Sequence, residues 1–169
     1  MPGVLFMSGS LGNGLAAGVG MALSGRLHRQ DYMTYVLIGD GEMQEGMVWE
    51  AAMAAAAHRV DNLVAIIDYN KVQATDTTEK VLENGMLKQK WEAFGWNAIE
   101  IDGHDFNQIL DALDQAAACK GKPTAIIAHT VKGKGFSFAE GKAAYHNAAM
   151  NEEEYAIAQQ MVKKMKEEA

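Results

Sequence analysis

Short, near-continuous apolar runs alternate along the chain with longer stretches in which apolar residues return every three or four positions. Tyr35-Val36-Leu37-Ile38, Leu63-Val64-Ala65-Ile66-Ile67, Asn97 to Ile101 and Thr124 to Ala128 have strand length. Runs that are apolar at nearly every position suit strands covered on both faces, as in a buried parallel sheet. Between them the helical period recurs. Gly12 to Leu27 carries Leu15, Val19, Ala22 and Leu23 on one side, Glu45 to His58 is alanine-rich, and Met86 to Phe94 is stopped by Gly95. Asp105 with Gln108 forms a capping box opening a helix to Ala118, and Asn151 with Glu154 opens a mixed-charge C-terminal helix. Lys71 to Asn84 and Lys132 to Ala144 read as loops, the first long enough to suggest function. Strands alternating with helices predict an α/β fold with a mostly parallel sheet. One domain over residues 1–150, with 151–169 as its C-terminal helix, is the expected organisation.

Composition narrows the choice of ligand. No apolar run approaches the roughly 20 residues needed to span a bilayer, and no basic n-region follows Met1, so neither a membrane nor a secretory signal is expected. The lone Cys119 forms no intramolecular disulfide and reads as a small residue near a helix end. A cytoplasmic setting is the expectation. The net charge of −7 argues against nucleic acid and anionic membranes as partners. It leaves anionic ligands open, because backbone dipoles and a bound metal override net charge locally. The 17 glycines gather at strand-to-helix turns, where backbones approach ligands.

Three places carry candidate chemistry, two of them at the carboxyl end of a strand, where ligands of parallel sheets bind, and one at the start of a helix. Gly39-Asp40-Gly41-Glu42 ends one strand, and Asn70 ends the next. Should those strands be neighbours, their side-chain oxygens reach one point and suit magnesium, which takes oxygen ligands in octahedral geometry. A tight turn with a helix cap is the plainer reading of Gly-Asp-Gly alone. Gly9-Ser10-Leu11-Gly12-Asn13-Gly14 leads into a helix whose N-terminus attracts anions, or else packs closely on a neighbour. His129-Thr130-Val131-Lys132-Gly133-Lys134-Gly135, followed by His146, is a phosphate clamp or a solvated basic loop.

Gly39-Asp40-Gly41-Glu42 closed by Asn70 resembles the thiamine-diphosphate signature. Together with Gly9-Ser10-Leu11-Gly12-Asn13-Gly14, Gly41-Glu42-Met43-Gln44-Glu45-Gly46, Ile101-Asp102-Gly103-His104-Asp105 and His129-Thr130-Val131-Lys132-Gly133-Lys134-Gly135, it resembles transketolase, especially the N-terminal subunit of split transketolases. The similarity runs in order from Pro2 to about Met150. It implies a three-layer diphosphate-binding domain holding thiamine diphosphate and Mg2+ (or Ca2+ or Mn2+). By it, Asp40, Asn70 and the Val72 carbonyl ligate the metal, and Gly41 lies against the diphosphate with Glu42 beside it. Gly9 and Leu11 flank the rings, and Lys132 and His146 form a basic pair. Glu45 is implied to be a buried interface glutamate that relays protons. The resemblance implies ketol transfer between sugar phosphates of the pentose phosphate pathway, with a pyrimidine-domain subunit, as a homodimer or heterotetramer. A truncated, non-catalytic paralogue and a component of deoxyxylulose-phosphate synthase are the alternatives. The family's N-terminal stretch before Gly9, with its histidines, is not in this chain. Ala51, Ala52, Ala54, Ala55, Ala56 and Ala57 are expected to form an association surface.

Overall fold

The computed structural model describes residues 3–168. Within them, ten regular elements follow the predicted alternation: α1 (Asn13–Leu27), β1 (Thr34–Gly39), α2 (Gly46–Ala57), β2 (Leu63–Tyr69), α3 (Thr78–Leu82), α4 (Leu87–Ala93), β3 (Asn97–Asp102), α5 (Phe106–Ala118), β4 (Thr124–His129) and α6 (Glu152–Glu168). The four strands form one sheet in the order β1-β2-β4-β3, and every pairing is parallel. β1 and β2 are therefore direct neighbours, with Gly39 registered against Asp68. This is the adjacency that the pairing of Asp40 with Asn70 requires.

Side chains alternate across the sheet and define two unequal cores. On one face, Leu15, Val19 and Ala22 of α1, Val48, Ala51, Ala52 and Ala55 of α2, and Leu87 and Trp91 of α4 cover Ile38, Leu63, Ala65, Ile67, Ala125 and Ile127. On the other, Ala112 and Ala116 of α5 cover Val64, Ile101, Ile126 and Ala128. Burying a large aliphatic side chain contributes roughly 1.5–3 kcal/mol, so the first face dominates stability. α5 reaches only the β3 side of the second face, and Leu37 on the edge strand β1 stays 73% exposed.

Two expectations change. Ala51, Ala52 and Ala55 lie inside this chain's own core, at 6%, 0% and 0% exposure, so they offer no surface to a partner. Their small side chains let α2 approach α1 and the sheet instead. The stretch from Lys71 to Asn84 is not a plain loop either. Val72 bridges Thr77, and Thr77 precedes the short helix α3.

The C-terminal helix α6 seats on the glycine-rich segment before it. Ala158 is 6% exposed, and the Tyr145 hydroxyl donates to the Glu154 carboxylate.

Candidate functional site

β1 ends at Gly39, and the chain turns through Asp40 and Gly41 into a single 3-10 turn, Glu42–Gln44, before α2 begins. Three fastenings hold this turn. The Glu42 carboxylate accepts the backbone N–H of Gly39 at 3.2 Å and that of Gly12 at 2.9 Å. The Trp49 indole N–H donates to the Met43 carbonyl at 2.8 Å. The Asn84 amide, from beyond α3, donates to the Asp40 carbonyl at 2.9 Å. Gly41 has no room for a side chain, since an added Cβ would lie 2.9 Å from that of Gln73. Gly41 is therefore the residue that lets the β1 turn and the Gln73 segment pack this closely.

Asp40 is 1% exposed, and its carboxylate accepts the N–H of Lys71. Burial raises its pKa above the usual aspartate value, against the lowering effect of the Lys71 N–H, and the charges of Asp68 and Lys132 push it up and down respectively. Lys71 holds a positive φ of 65°, which swings the chain at the end of β2 so that its N–H meets Asp40. Asn70 precedes it, with its side-chain oxygen accepting the N–H of Val72 at 3.0 Å. Asp40 and Gly41 thus adjoin the 70–72 segment at the carboxyl ends of two neighbouring strands, through Lys71 and Gln73. Lys132, half-buried on the loop after β4, lies near enough to act on the charge of Asp40.

The remaining expected residues are less gathered. Gly9 and Leu11 lie exposed before α1, joined to the turn through Gly12 and Glu42. Glu45 is the N-cap residue of α2 and is exposed in this chain, with its Cβ packed beside Gly12. His146 ends an exposed 3-10 turn, Ala143–His146. Glu42 uses its carboxylate on two backbone N–H groups, so its geometry is that of a clamp between the two glycine segments. His104 accepts the Val131 N–H at 2.8 Å and ties the β3 and β4 end loops together. It borders a shallow cavity of about 570 Å3 with Glu100, His129 and Lys134.

The sequence reading missed Asp68, Thr130 and Asn84, which bond to or beside the candidate ligands. The available signal was Asp68 itself, a carboxylate closing an otherwise apolar strand.

The implied metal can be tested against these atoms. Among the described residues no three His, Cys, Asp or Glu side chains gather in a metal-binding group. The candidate donors are instead one carboxylate, one amide oxygen and one backbone carbonyl. A buried carboxylate held by a backbone N–H, beside neutral oxygens, suits a hard cation that brings other ligands with it. The residues present fit magnesium bound together with a diphosphate.

A parallel α/β sheet with an oxygen-rich turn at the ends of β1 and β2 defines the class: an α/β domain of the kind that takes its ligand at the carboxyl ends of its strands. Residues 1–166 match the family model described as transketolase, thiamine diphosphate binding domain. The chain belongs to that family. It is 46% identical over 156 residues to the 6-deoxy-6-sulfo-D-fructose transketolase subunit SqwG of Clostridium sp. (strain MSTE9), covering 92% of this chain and 57% of that protein. It is 43% identical over 155 residues to an apulose-4-phosphate transketolase subunit of Phocaeicola vulgatus, covering 92% and 55%. The crystal structure of transketolase from Campylobacter jejuni superposes with a TM-score of 0.87 at 34% identity, covering 94% of this chain and 26% of that one. The chain therefore spans little more than half the length of these two subunits.

Proposed function

We propose that this chain is the diphosphate- and metal-binding half of a thiamine-diphosphate-dependent transketolase, moving two-carbon ketol units between sugar phosphates. The carrying observation is that Asp40 and Gly41 adjoin the 70–72 segment at two adjacent strand ends in a member of this family. Asp40, Asn70 and the Val72 carbonyl hold Mg2+, for which Ca2+ or Mn2+ can substitute. Gly41 lets the backbone reach the diphosphate, Lys132 adds positive charge on its far side, and His146 completes the basic pair with a ring nitrogen for hydrogen bonding. Gly9 and Leu11 form the wall beside the rings. Thiamine diphosphate, held by these residues, would supply the nucleophilic carbon and electron sink that ketol transfer needs.

What this chain's residues do is bind, orient and exclude water; Glu45, exposed at the α2 N-terminus, carries a carboxylate to the subunit contact. A pyrimidine-domain subunit completes the site, in a homodimer or heterotetramer, within the cytoplasm. The two subunits named above support ketose-type substrates; a role in pentose phosphate interconversion is the specific reading. Residues 151–169 belong to the same domain.

Titrating thiamine diphosphate with Mg2+ into the chain, with and without a pyrimidine-domain subunit, tests the reading. Metal-dependent binding by the chain, and ketol transfer only after the partner is added, are expected. Binding indifferent to Mg2+ would overturn the assignment. Ketol transfer by the purified chain alone would overturn the half-site arrangement.

A further inference from the structure

Asp68 lies one residue before the end of β2 and two before Asn70. Its Oδ2 accepts the Asn70 side-chain N–H at 3.0 Å, and its Oδ1 accepts the Thr130 hydroxyl. An ionised carboxylate only accepts hydrogen bonds, so the amide end of Asn70 that faces it has to be the NH2. The Asn70 oxygen is thereby turned the other way, where it also meets the Val72 N–H. The two ends of an amide have nearly the same shape, and only such partners distinguish them.

Thr130 is itself fixed. Its backbone N–H donates to the Tyr69 carbonyl at 3.3 Å. Its methyl group occupies space that Gly103 leaves open, since a Cβ there would lie 2.4 Å from it. The ends of β2 and β4 thus meet at one carboxylate that is not itself a proposed ligand, and the turn after β3 packs on the Thr130 that holds it.

We propose that Asp68, held by Thr130, is a positioning residue that sets which atom of Asn70 faces the metal. The proposal rests on the functional reading above and deepens it. A residue acting this way behaves like the hydrogen-bonded outer partners of metal ligands, whose loss typically weakens metal binding about 10- to 100-fold. An Asp68 that only stitched β2 to β4 would change stability and leave the affinity of the folded chain alone.

The first test needs no ligand. In 15N-labelled empty chain, the Asn70 side-chain NH2 is expected to exchange about tenfold more slowly than those of the exposed Asn107, Asn147 and Asn151, on the scale of local protection. In Asp68→Ala that difference disappears. An Asn70 amide exchanging like the exposed ones in the parent, or unaffected by the substitution, overturns the proposal.

The second test is Mn2+ titration at saturating thiamine diphosphate. Asp68→Asn is expected to weaken Mn2+ by about 10- to 100-fold, and Thr130→Val, which conserves shape, by less. Neither adds a loss in an Asn70→Ala background, because residues acting through one another are not additive. Lowered Tm with unchanged Mn2+ affinity in both variants overturns the proposal. A parent chain that takes up no Mn2+ overturns the functional reading instead, and the amide exchange then decides the orientation of Asn70 by itself.

Discussion

At the ends of β1 and β2 the polar groups are matched within the chain. Asp40 is buried, Glu42 clamps two glycine segments, and Asn84, Lys71 and Trp49 each donate to the turn or its carboxylate. Across the same site, Gly9, Leu11, Glu45 and His146 face solvent, with Leu11 53% exposed. Preorganised donors and acceptors fix a ligand with little reordering, whereas exposed groups have to be ordered when it arrives. The comparison assigns the two halves different work. On the proposed reading, the metal ligands and the Gly41 turn are set within this chain, whereas the ring wall and His146 on the diphosphate side would be ordered when the ligand arrives or by a further surface.

The sharpest way to break this contrast is Asp40→Asn. Asp40 is the only formal charge among the proposed ligands, so Mg2+-dependent cofactor binding is expected to fall by at least about 100-fold, comparable to losing a charged partner of a few kcal/mol. Stability should move the other way. The folded-state pKa of Asp40 is raised, chiefly by burial. Its ionised form is therefore penalised in the fold above that pKa, and the penalty is relieved as pH falls through it. The neutral amide removes the penalty at pH 7, so the Tm of the empty variant should equal or exceed the parent's. For the parent, metal and proton compete for the same carboxylate. Calorimetric binding should therefore begin to weaken, on acidification, at a higher pH than an ordinary aspartate would dictate. A large Tm loss in Asp40→Asn, with binding intact, would reverse the assignment.

Glu42→Ala probes the seam between the halves. Two backbone N–H groups lose a carboxylate acceptor, which should cost about 2 kcal/mol in denaturant unfolding. Faster amide exchange should appear at Gly12 and Gly39 together. Exchange that rises at Gly39 only would show that Glu42 does not couple the segments. Lys132→Ala should have the smallest effect: a few-fold loss of cofactor affinity that shrinks with added salt, as for a half-exposed charge. A salt-independent loss would point to direct, desolvated contact instead.

Strands were legible because their apolar runs are near-continuous, and helices because Gly95, Asp105 and Asn151 punctuate them. Strand order was not. Placing β4 between β2 and β3 is a long-range choice, and it alone brings Thr130 to Asp68. α3 is five residues long, too short for a period to show. Asp40 and Asn70 stood out through flanking glycines and strand-end spacing, while Asp68 sits in an apolar strand without such markers. The alanines of α2 were open to two readings, since small side chains serve a partner's backbone and the chain's own neighbours equally well. Only the packing of α1 against α2 shows Ala51, Ala52 and Ala55 turned inward.

The bond from the Trp49 indole to the Met43 carbonyl has an optical consequence. The Trp49 ring lies 5.4 Å from that of Trp91, which lies 4.7 Å from Trp96, and its N–H is anchored in the 3-10 turn that follows Gly41. On the proposed reading, the emission of this three-indole cluster should respond when a diphosphate reaches that turn. Trp49 would then serve as a built-in fluorescent reporter of loading, readable without label or partner.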